Sequence, residues 1–404
     1  MKERRKYETS HPWLTFSLNT ERLPAAVWIL LGEARSKCEH LAGVPLQPKT
    51  AQSLNQVFLA KGARATTAIE GNTLSEEQVR QQMDGTLHLP PSKQYLAQEV
   101  QNILEAFNGL WTEILGGQPF ALTVDRICAF NAQVLNKLET TPEVQPGAIR
   151  NHSVGVMGYR GAPAEDCRYL LQRLVDWLNH PSFQPDAEHT VIKPILAAIL
   201  AHLYLAWIHP FGDGNGRTAR LIEFAILVSA GVPMPAAHLL SNHYNETRSE
   251  YYRQLDMASG SGGDVIPFIR YAMQGFVDGL RDQINVVRDQ QIDVAWINFV
   301  HGAFHGAHGL TTDRRRDLVL QMSAPAHRAN FLAIDQIPLL NPHLAKLYAS
   351  KTSKTLRRDL NELVRMGLVR VDSDGRFKVA IEIMSAFLPA RSTPAMPQPT
   401  VRQG

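Results

Sequence analysis

Apolar residues return every three or four positions along most of this chain, and the every-second-position alternation of strands is rare. "AAVWILLGEARSKCEHLAG" (25–43) carries the helical period and stops at Gly43, with Pro45 just beyond. Over 50–85 the pattern predicts one helix, a break at Gly71-Asn72, and a second helix opened by Ser75 with Gln78 three residues on, a good capping start. Further helices are predicted at 92–115, 123–138, 164–179, 189–208, 216–230, 245–258 and 264–290. The run "PILAAILAHLYLAWI" (194–208) is apolar apart from His202 and reads as a central buried helix. Its 15 residues are too few to span a bilayer.

Two stretches depart from the helical rhythm. In "GAIRNHSVGVMGYRGAPAED" (147–166), Val154 and Val156 alternate before Gly158 and Tyr159, which predicts a β-hairpin. From about 292 the character changes. "LAKLYASKTSKTLRRDLNELVRMGLVRVDSDGRFKVAI" (344–381) reads helix, turn, helix, then two strands joined by Asp372-Ser373-Asp374-Gly375. That order predicts a winged helix-turn-helix with 352–366 in the recognition-helix position. Lys354, Arg357, Arg358 and Arg365 on that helix suit phosphate contacts, and winged helices also dock proteins. Residues 311–391 hold 14 Lys and Arg against 8 Asp and Glu. The Pro-rich, polar 392–404 predicts a disordered tail.

Length and composition add bounds. A chain of 404 residues suggests two or three domains, and 44% hydrophobic with 20% charged residues is ordinary globular material. A net charge of +3 is too small for nucleic-acid binding by the whole surface, so any such surface must be local. Cys38, Cys128 and Cys167 lie far apart and form no C-x-x-C pair, so neither a disulfide framework nor a zinc site is expected. No long apolar stretch follows the basic "MKERRKYETSHPW", so no signal peptide is expected, and a cytoplasmic location is.

The densest chemistry lies in "AWIHPFGDGNGRTARLI" (206–222), where an apolar helix ends in a histidine and Gly212, Gly214 and Gly216 lead into the next helix. Backbone N–H groups at such a helix start, with the helix dipole behind them, make an anion site. Asn215 adds amide hydrogen-bonding capacity, and Arg217 and Arg220, three apart, share a face on which to clamp phosphate oxygens. Asp213 is a hard oxygen ligand suited to Mg²⁺ bridging phosphates. His209 is the group that can accept a proton at neutral pH. Together these residues predict a magnesium–nucleotide site with a base beside it, and not a P-loop, which needs Lys-Ser/Thr after its glycines.

His209-Pro210-Phe211-Gly212-Asp213-Gly214-Asn215-Gly216-Arg217-Thr218-Ala219-Arg220 resembles, without a mismatch, the active-site motif H-x-F-x-(D/E)-G-N-G-R-x-x-R of Fic-domain proteins. The resemblance extends over roughly 50–290. It implies a mostly α fold, a helical Fic core with a β-hairpin flap, here joined to the C-terminal winged helix-turn-helix. The implied domains are an N-terminal helical region 1–115 carrying an inhibitory helix at about 55–71, a catalytic core 116–290 and a winged-helix domain 291–391. The implied activity is transfer of AMP from ATP, with Mg²⁺, to a Ser, Thr or Tyr hydroxyl of a target protein. His209 would be the base and Asp213 the metal ligand. Glu70, Gly214, Asn215, Gly216, Arg217, Thr218, Ala219 and Arg220 would contact the nucleotide. Phe211 would anchor the loop, and Tyr252 would line the nucleoside pocket. Ser259 departs from an Asn that relatives often carry.

"TTAIEGN" (66–72) resembles the family's inhibitory motif (S/T)-x-x-x-E-(G/N), here Thr66, Glu70 and Gly71. Thr66 and Glu70 share one helical face, and a carboxylate near a helix C-terminus is unfavourable with the dipole unless a partner is found. The resemblance implies that partner is Arg220, kept from the γ-phosphate. In some relatives the same glutamate aligns a water that removes AMP, so de-AMPylation is a second implied activity. Expected partners are a target protein docked along 147–160, DNA or protein at 352–380, and a second copy of the chain. No membrane partner is expected. Phosphate transfer is the rival chemistry, although relatives that perform it replace motif glycines retained here. The rival class is a DNA-binding regulator whose Fic core only senses nucleotide.

Overall fold

The computed structural model describes residues 4–117, 119–156, 158–184 and 190–385. The tail expected to be disordered, 392–404, lies outside the described residues. The chain divides into two compact units, Met1–Ile284 and Asn285–Gly404.

In the first unit the longer helices are α1 (Ala25–Gly43), α2 (Pro48–Ala68), α3 (Glu76–Met83), α4 (Gln94–Leu115), α5 (Val124–Val134), α6 (Cys167–Leu178), α7 (Ile192–Ile208), α8 (Asn215–Ser229), α9 (Leu239–Glu246) and α10 (Arg248–Gly260). Helix α11 (Ile266–Ala303) follows and spans the division between the units. The apolar run 194–208 is α7, buried along almost its whole length, with α8 packed against it and α1 and α6 on other sides. Helices α2, α4 and α5 all reach α8. Between α5 and α6 lies an antiparallel hairpin, β1 (Gly155–Val156) and β2 (Tyr159–Arg160), in which Gly155 faces Arg160.

Two expected boundaries differ. The division at 115/116 does not separate compact units: Val27 and Leu31 of α1, Phe107 of α4, Leu200 of α7 and Leu227 of α8 share one hydrophobic core. The helix predicted over 264–290 continues to Ala303, past the expected start of the last domain at 291. Burial of Trp296 and Val300 in a second core explains the extension, because apolar residues on that stretch keep helical spacing.

The second unit holds α12 (Leu310–Met322), α13 (Pro342–Tyr348), α14 (Ser353–Arg365) and an antiparallel pair, β3 (Val369–Val371) with β4 (Phe377–Val379). Leu344, Leu356, Leu360, Leu363 and Phe377 close its core. No helix among the described residues is long and apolar enough to cross a membrane.

Candidate active site

Helix α7 stops at His209, whose backbone turns left-handed at φ 51°. For a residue with a Cβ that conformation costs about 1–2 kcal/mol, so something must hold it. Arg150 does. Its Nε donates to the His209 carbonyl at 2.7 Å, and Nη1 and Nη2 donate to the carbonyls of His152 and Ala162, each at 2.5 Å. The Arg150 amide donates to the Pro210 carbonyl at 3.0 Å, and Ile149 bridges to the buried Phe211. The hairpin is fastened to the same place: Tyr159 OH donates to the Trp207 carbonyl at 2.9 Å, and the Ala162 amide to the Ile208 carbonyl at 3.2 Å.

The His209 ring is largely buried. Its Nδ1 sits 3.4 Å from the Ala206 carbonyl, which can only accept, so Nδ1 carries the proton and the Nε2 lone pair is left available. Loss of hydration on burial pulls the imidazole below its ordinary pKa, with Arg150 adding to the effect. The ring is thus uncharged at neutral pH and able to take a proton.

From His209 the chain runs through Gly212 and Asp213 to Gly214, at φ 74°, and α8 begins at Asn215. A Cβ on Gly214 would lie 3.1 Å from Asn131 Nδ2 and 3.2 Å from Leu135, on a backbone that already disfavours side chains. Asn131 shapes the turn: its Nδ2 donates to the Asp213 carbonyl at 2.9 Å and its Oδ1 accepts from the Gly147 amide at 2.9 Å.

The Asn215 side chain closes the loop: it accepts from the Phe211 amide at 2.9 Å and donates to the Phe211 carbonyl at 2.8 Å, one bond at each end of the amide. Thr218 is likewise engaged within the fold, its Oγ1 donating to the Gly214 carbonyl at 2.8 Å. What the first turn of α8 still offers an anion is its backbone N–H groups, which have no acceptor inside the helix.

The two arginines also part company. Arg220, 1% exposed, donates from Nη2 to Glu70 Oε1 at 2.6 Å and to the Thr66 carbonyl at 2.8 Å. Thr66 therefore contributes through its backbone. Arg217 instead donates to Glu99 Oε1 on α4 at 2.9 Å, with Asp213 Oδ1 at 3.4 Å. The expected common phosphate face is divided between two carboxylates. The other Glu99 oxygen accepts from Asn72 Nδ2 at 2.8 Å, so the second pair is tied to the segment that carries the first.

Glu70 reaches Arg220 because α2 is stopped abruptly. Gly71, at φ 102°, donates to the Ala68 carbonyl and Asn72 to the Thr67 carbonyl, the paired bonds of a Schellman ending. Glu70 then lies so close to α8 that a Cβ on Gly216 would fall 2.1 Å from its Oε1. Burial alone would raise the Glu70 carboxyl. The Arg220 charge and hydrogen bond outweigh it and hold the group ionised, below the usual carboxylate range.

These groups surround a cavity of about 760 Å³, whose wall includes Glu70, His209, Asp213, Gly214, Gly216 and Tyr252. Asn215 and Ala219 also line it, whereas Arg217, Thr218 and Arg220 do not. Helix α10 supplies the far wall through Tyr251, Tyr252, Leu255 and Asp256, and Tyr251 OH meets His202 Nε2 at 2.9 Å. Ser259 is outside the lining, its hydroxyl donating to the Asp256 carbonyl at 3.0 Å. Among the described residues no group of three or more His, Cys, Asp or Glu could hold a metal ion by itself. The thiols are free and take no part, burial pushing Cys38 up to about 12 and Cys167 to about 11.

Arg150, Asn131, Glu99 and Asn72 went unrecognised in the sequence as positioning residues. Arg150 had a faint signal, closing the "GAIR" that precedes the hairpin. The other three sit on ordinary helical or turn patterns that give no sign of their partners.

Residues 121–227 match the Fic/DOC family. Curated relatives include protein adenylyltransferase fic-1 of Caenorhabditis elegans, 34% identical over 206 residues that make up 51% of this chain and 37% of the relative. Protein adenylyltransferase Fic of Nematostella vectensis is 31% identical over 206 residues, 51% of this chain and 44% of the relative. The chain thus spans less than half the length of these curated relatives. Among solved structures, a Fic family protein from Desulfovibrio desulfuricans G20 superposes with a TM-score of 0.54 over 90% of this chain and 97% of that one. At 20% identity this is a likeness of fold. Fic-1 from C. elegans gives a TM-score of 0.51 at 27% identity, over 66% of this chain and 74% of that one. The stretch 121–227, from the helix bearing Asn131 through the His209–Arg220 loop into α8, is a Fic/DOC-family domain.

Proposed function

We propose that this chain transfers AMP from ATP to a hydroxyl of a target protein and restrains itself through Glu70. The observation that carries this reading is the shared cavity: a neutral His209, the start of α8 with its backbone N–H groups, and Glu70, whose carboxylate holds Arg220 behind the wall, lie around one space of nucleotide size. In the reaction the target hydroxyl oxygen attacks the α-phosphorus in line with the bond to the β-phosphate bridge. That P–O bond breaks, pyrophosphate leaves with its electron pair, and His209 Nε2 takes the hydroxyl proton. The N–H groups of the first α8 turn hold phosphate oxygens against the positive end of the helix.

Asp213 fits Mg²⁺ as a single half-exposed carboxylate beside that cradle, since this ion takes most of its oxygens from phosphates and water. Bound there, the ion would neutralise phosphate charge. Tyr251 and Tyr252 face the place left for the nucleoside. With Glu70 on Arg220, that guanidinium is kept from the outer phosphate. Only Oε1 of Glu70 is taken by Arg220, and Glu70 lines the cavity, so its second oxygen suits alignment of a water for AMP removal.

The hairpin β1–β2 serves as the flap. Ser153, Val154 and Gly155 line the cavity, and an extended target segment along this short edge would bring its hydroxyl toward His209. The second unit reads as a winged helix-turn-helix, with α14 in the recognition position and β3–β4 as the wing. Incubating labelled ATP with a lysate and the Glu70→Gly protein tests the activity. His209→Ala placed in that background should abolish labelling while nucleotide affinity stays within a few-fold. Loss of nucleotide binding instead would remove His209 from proton transfer.

A further inference from the structure

Helix α14 buries Leu356, Leu360 and Leu363 and turns a different chemistry outward. Its two acidic residues are both engaged. Asp359, 1% exposed, accepts from Arg314 at 2.7 and 3.1 Å, from Arg315 at 2.9 Å and from Tyr348 OH at 3.0 Å. Glu362 accepts from Arg365 at 2.6 Å. By contrast Lys351, Lys354, Arg357 and Arg358 are exposed, and their side chains have no ion-pair or hydrogen-bond partner among the described residues.

Much of the remaining positive charge in this unit is neutralised. Arg328 pairs with Asp293, Arg316 with Asp313 and Arg370 with Glu382. Arg376 at the β3–β4 turn lies between Asp372 at 2.8 Å and Asp374 at 3.0 Å, which leaves two carboxylates to one guanidinium. Lys354, Arg357 and Arg358 thus stand unpaired on the N-terminal half of α14, with Lys351 just before it and Lys346 on α13 close by in sequence. Like charges at positions 354, 357 and 358 repel one another along a helix face, a cost that a row of phosphates would offset.

We propose that α14 binds double-stranded DNA, its N-terminal half against the phosphates bordering a major groove, with the acidic tip of the hairpin taking no part. A helix-turn-helix presents its second helix in this way. The outward face favours nucleic acid over a protein partner. None of the large exposed hydrophobic residues lies on α14, whereas protein interfaces need an apolar or aromatic anchor. Unpaired cations on a helix face free of large exposed hydrophobic residues suit phosphates, and contacts of that kind position without reading sequence. This proposal stands apart from the AMP-transfer reading.

The test is fluorescence anisotropy of a labelled mixed-sequence duplex of about 20 base pairs with the full chain, between 50 and 200 mM salt. Four phosphate contacts give a slope of log K against log salt of about −3 to −4. The combined change Lys354→Glu, Arg357→Glu and Arg358→Glu should weaken binding at least ~10-fold and bring the slope near −1. Arg365→Ala, which removes an arginine already paired with Glu362, should leave affinity within about twofold. The thermal midpoint of the triple variant should match the parent, because the altered side chains are exposed. No binding at 50 mM salt, or undiminished binding by the triple variant, would overturn the proposal. So would an acidic peptide binding as tightly as the duplex, which would make the helix a protein-docking surface.

Discussion

Glu70 Oε1 lies 2.6 Å from Nη2 of Arg220, a nitrogen that also donates to the Thr66 carbonyl at 2.8 Å. Arg220 has essentially no exposed side-chain surface, while about a third of Glu70 faces open space (1% against 34%). The pair thus fixes a buried cation with an anion that can still be moved. Glu70→Gly should raise AMP transfer well above wild type. It should also cost about 1–3 kcal/mol of stability, less than the loss of a fully buried pair because Glu70 is partly solvated. ATP should recover part of that loss by binding the released guanidinium. Adding Arg220→Ala should return transfer to a low level. A double variant as active as the single one would exclude Arg220 from the mechanism.

The pH profile should report His209. Burial lowers its pKa below the ordinary 6.5, while the nearby Glu70 charge pushes it upward. With His209 as the base, kcat/KM of the Glu70→Gly protein should be level from pH 7 to 8 and fall with an inflection below 6.5. Removing Glu70 withdraws an upward influence, so this inflection should lie lower than in the parent. An acid limb centred above pH 7 would assign the base to another group.

Arg150 is expected to act through His209 rather than on substrate. Arg150→Lys keeps a positive charge but cannot supply the bonds that hold the His209, His152 and Ala162 carbonyls together. The left-handed His209 backbone should then relax. A displacement of about 1 Å there would lower kcat on the order of 10²-fold. ATP affinity should change little, since no phosphate contact is assigned to this side chain. Equal losses in affinity and rate would make Arg150 part of the nucleotide site.

Acid stability should expose His238. It is buried between Phe107 and Phe224, stacked on the latter, and loss of hydration lowers its pKa to about 3. The unfolded chain takes up this proton near 6.5 and the folded chain does not. The resulting penalty is absent above pH 6.5 and grows as the pH falls toward 3, by about 1.4 kcal/mol per unit. His238→Leu should therefore lose less thermal stability than wild type between pH 7.5 and pH 5. Parallel losses in the two proteins would show that the ring finds a way to ionise in place.

Local features of this protein were legible in its residue order because their physics is local. The 3.6-residue period placed the long helices, and the turn chemistry of Gly71 and Ser75 marked where α2 stops and α3 starts. The histidine, carboxylate, glycines and arginines of the loop lie within twelve residues, so their meeting required only one turn and one helix start. Which charges pair depends on the return of distant chain, and of these pairings only Glu70 with Arg220 was expected, through the family resemblance. Arg220 meets Glu70 from 150 residues away, Arg217 meets Glu99 from 118, and Arg150 meets the His209 carbonyl from 59. Spacing placed both arginines on one face, but a guanidinium goes to the carboxylate that packing brings to it, and α2 and α4 bring two different ones. Asn215 shows the same limit at short range: only the folded loop brings its amide to the two backbone groups of Phe211 that it satisfies. Periodicity records which side of a helix is dry, whereas the partner on that side is decided where separate stretches of chain are pressed into one core.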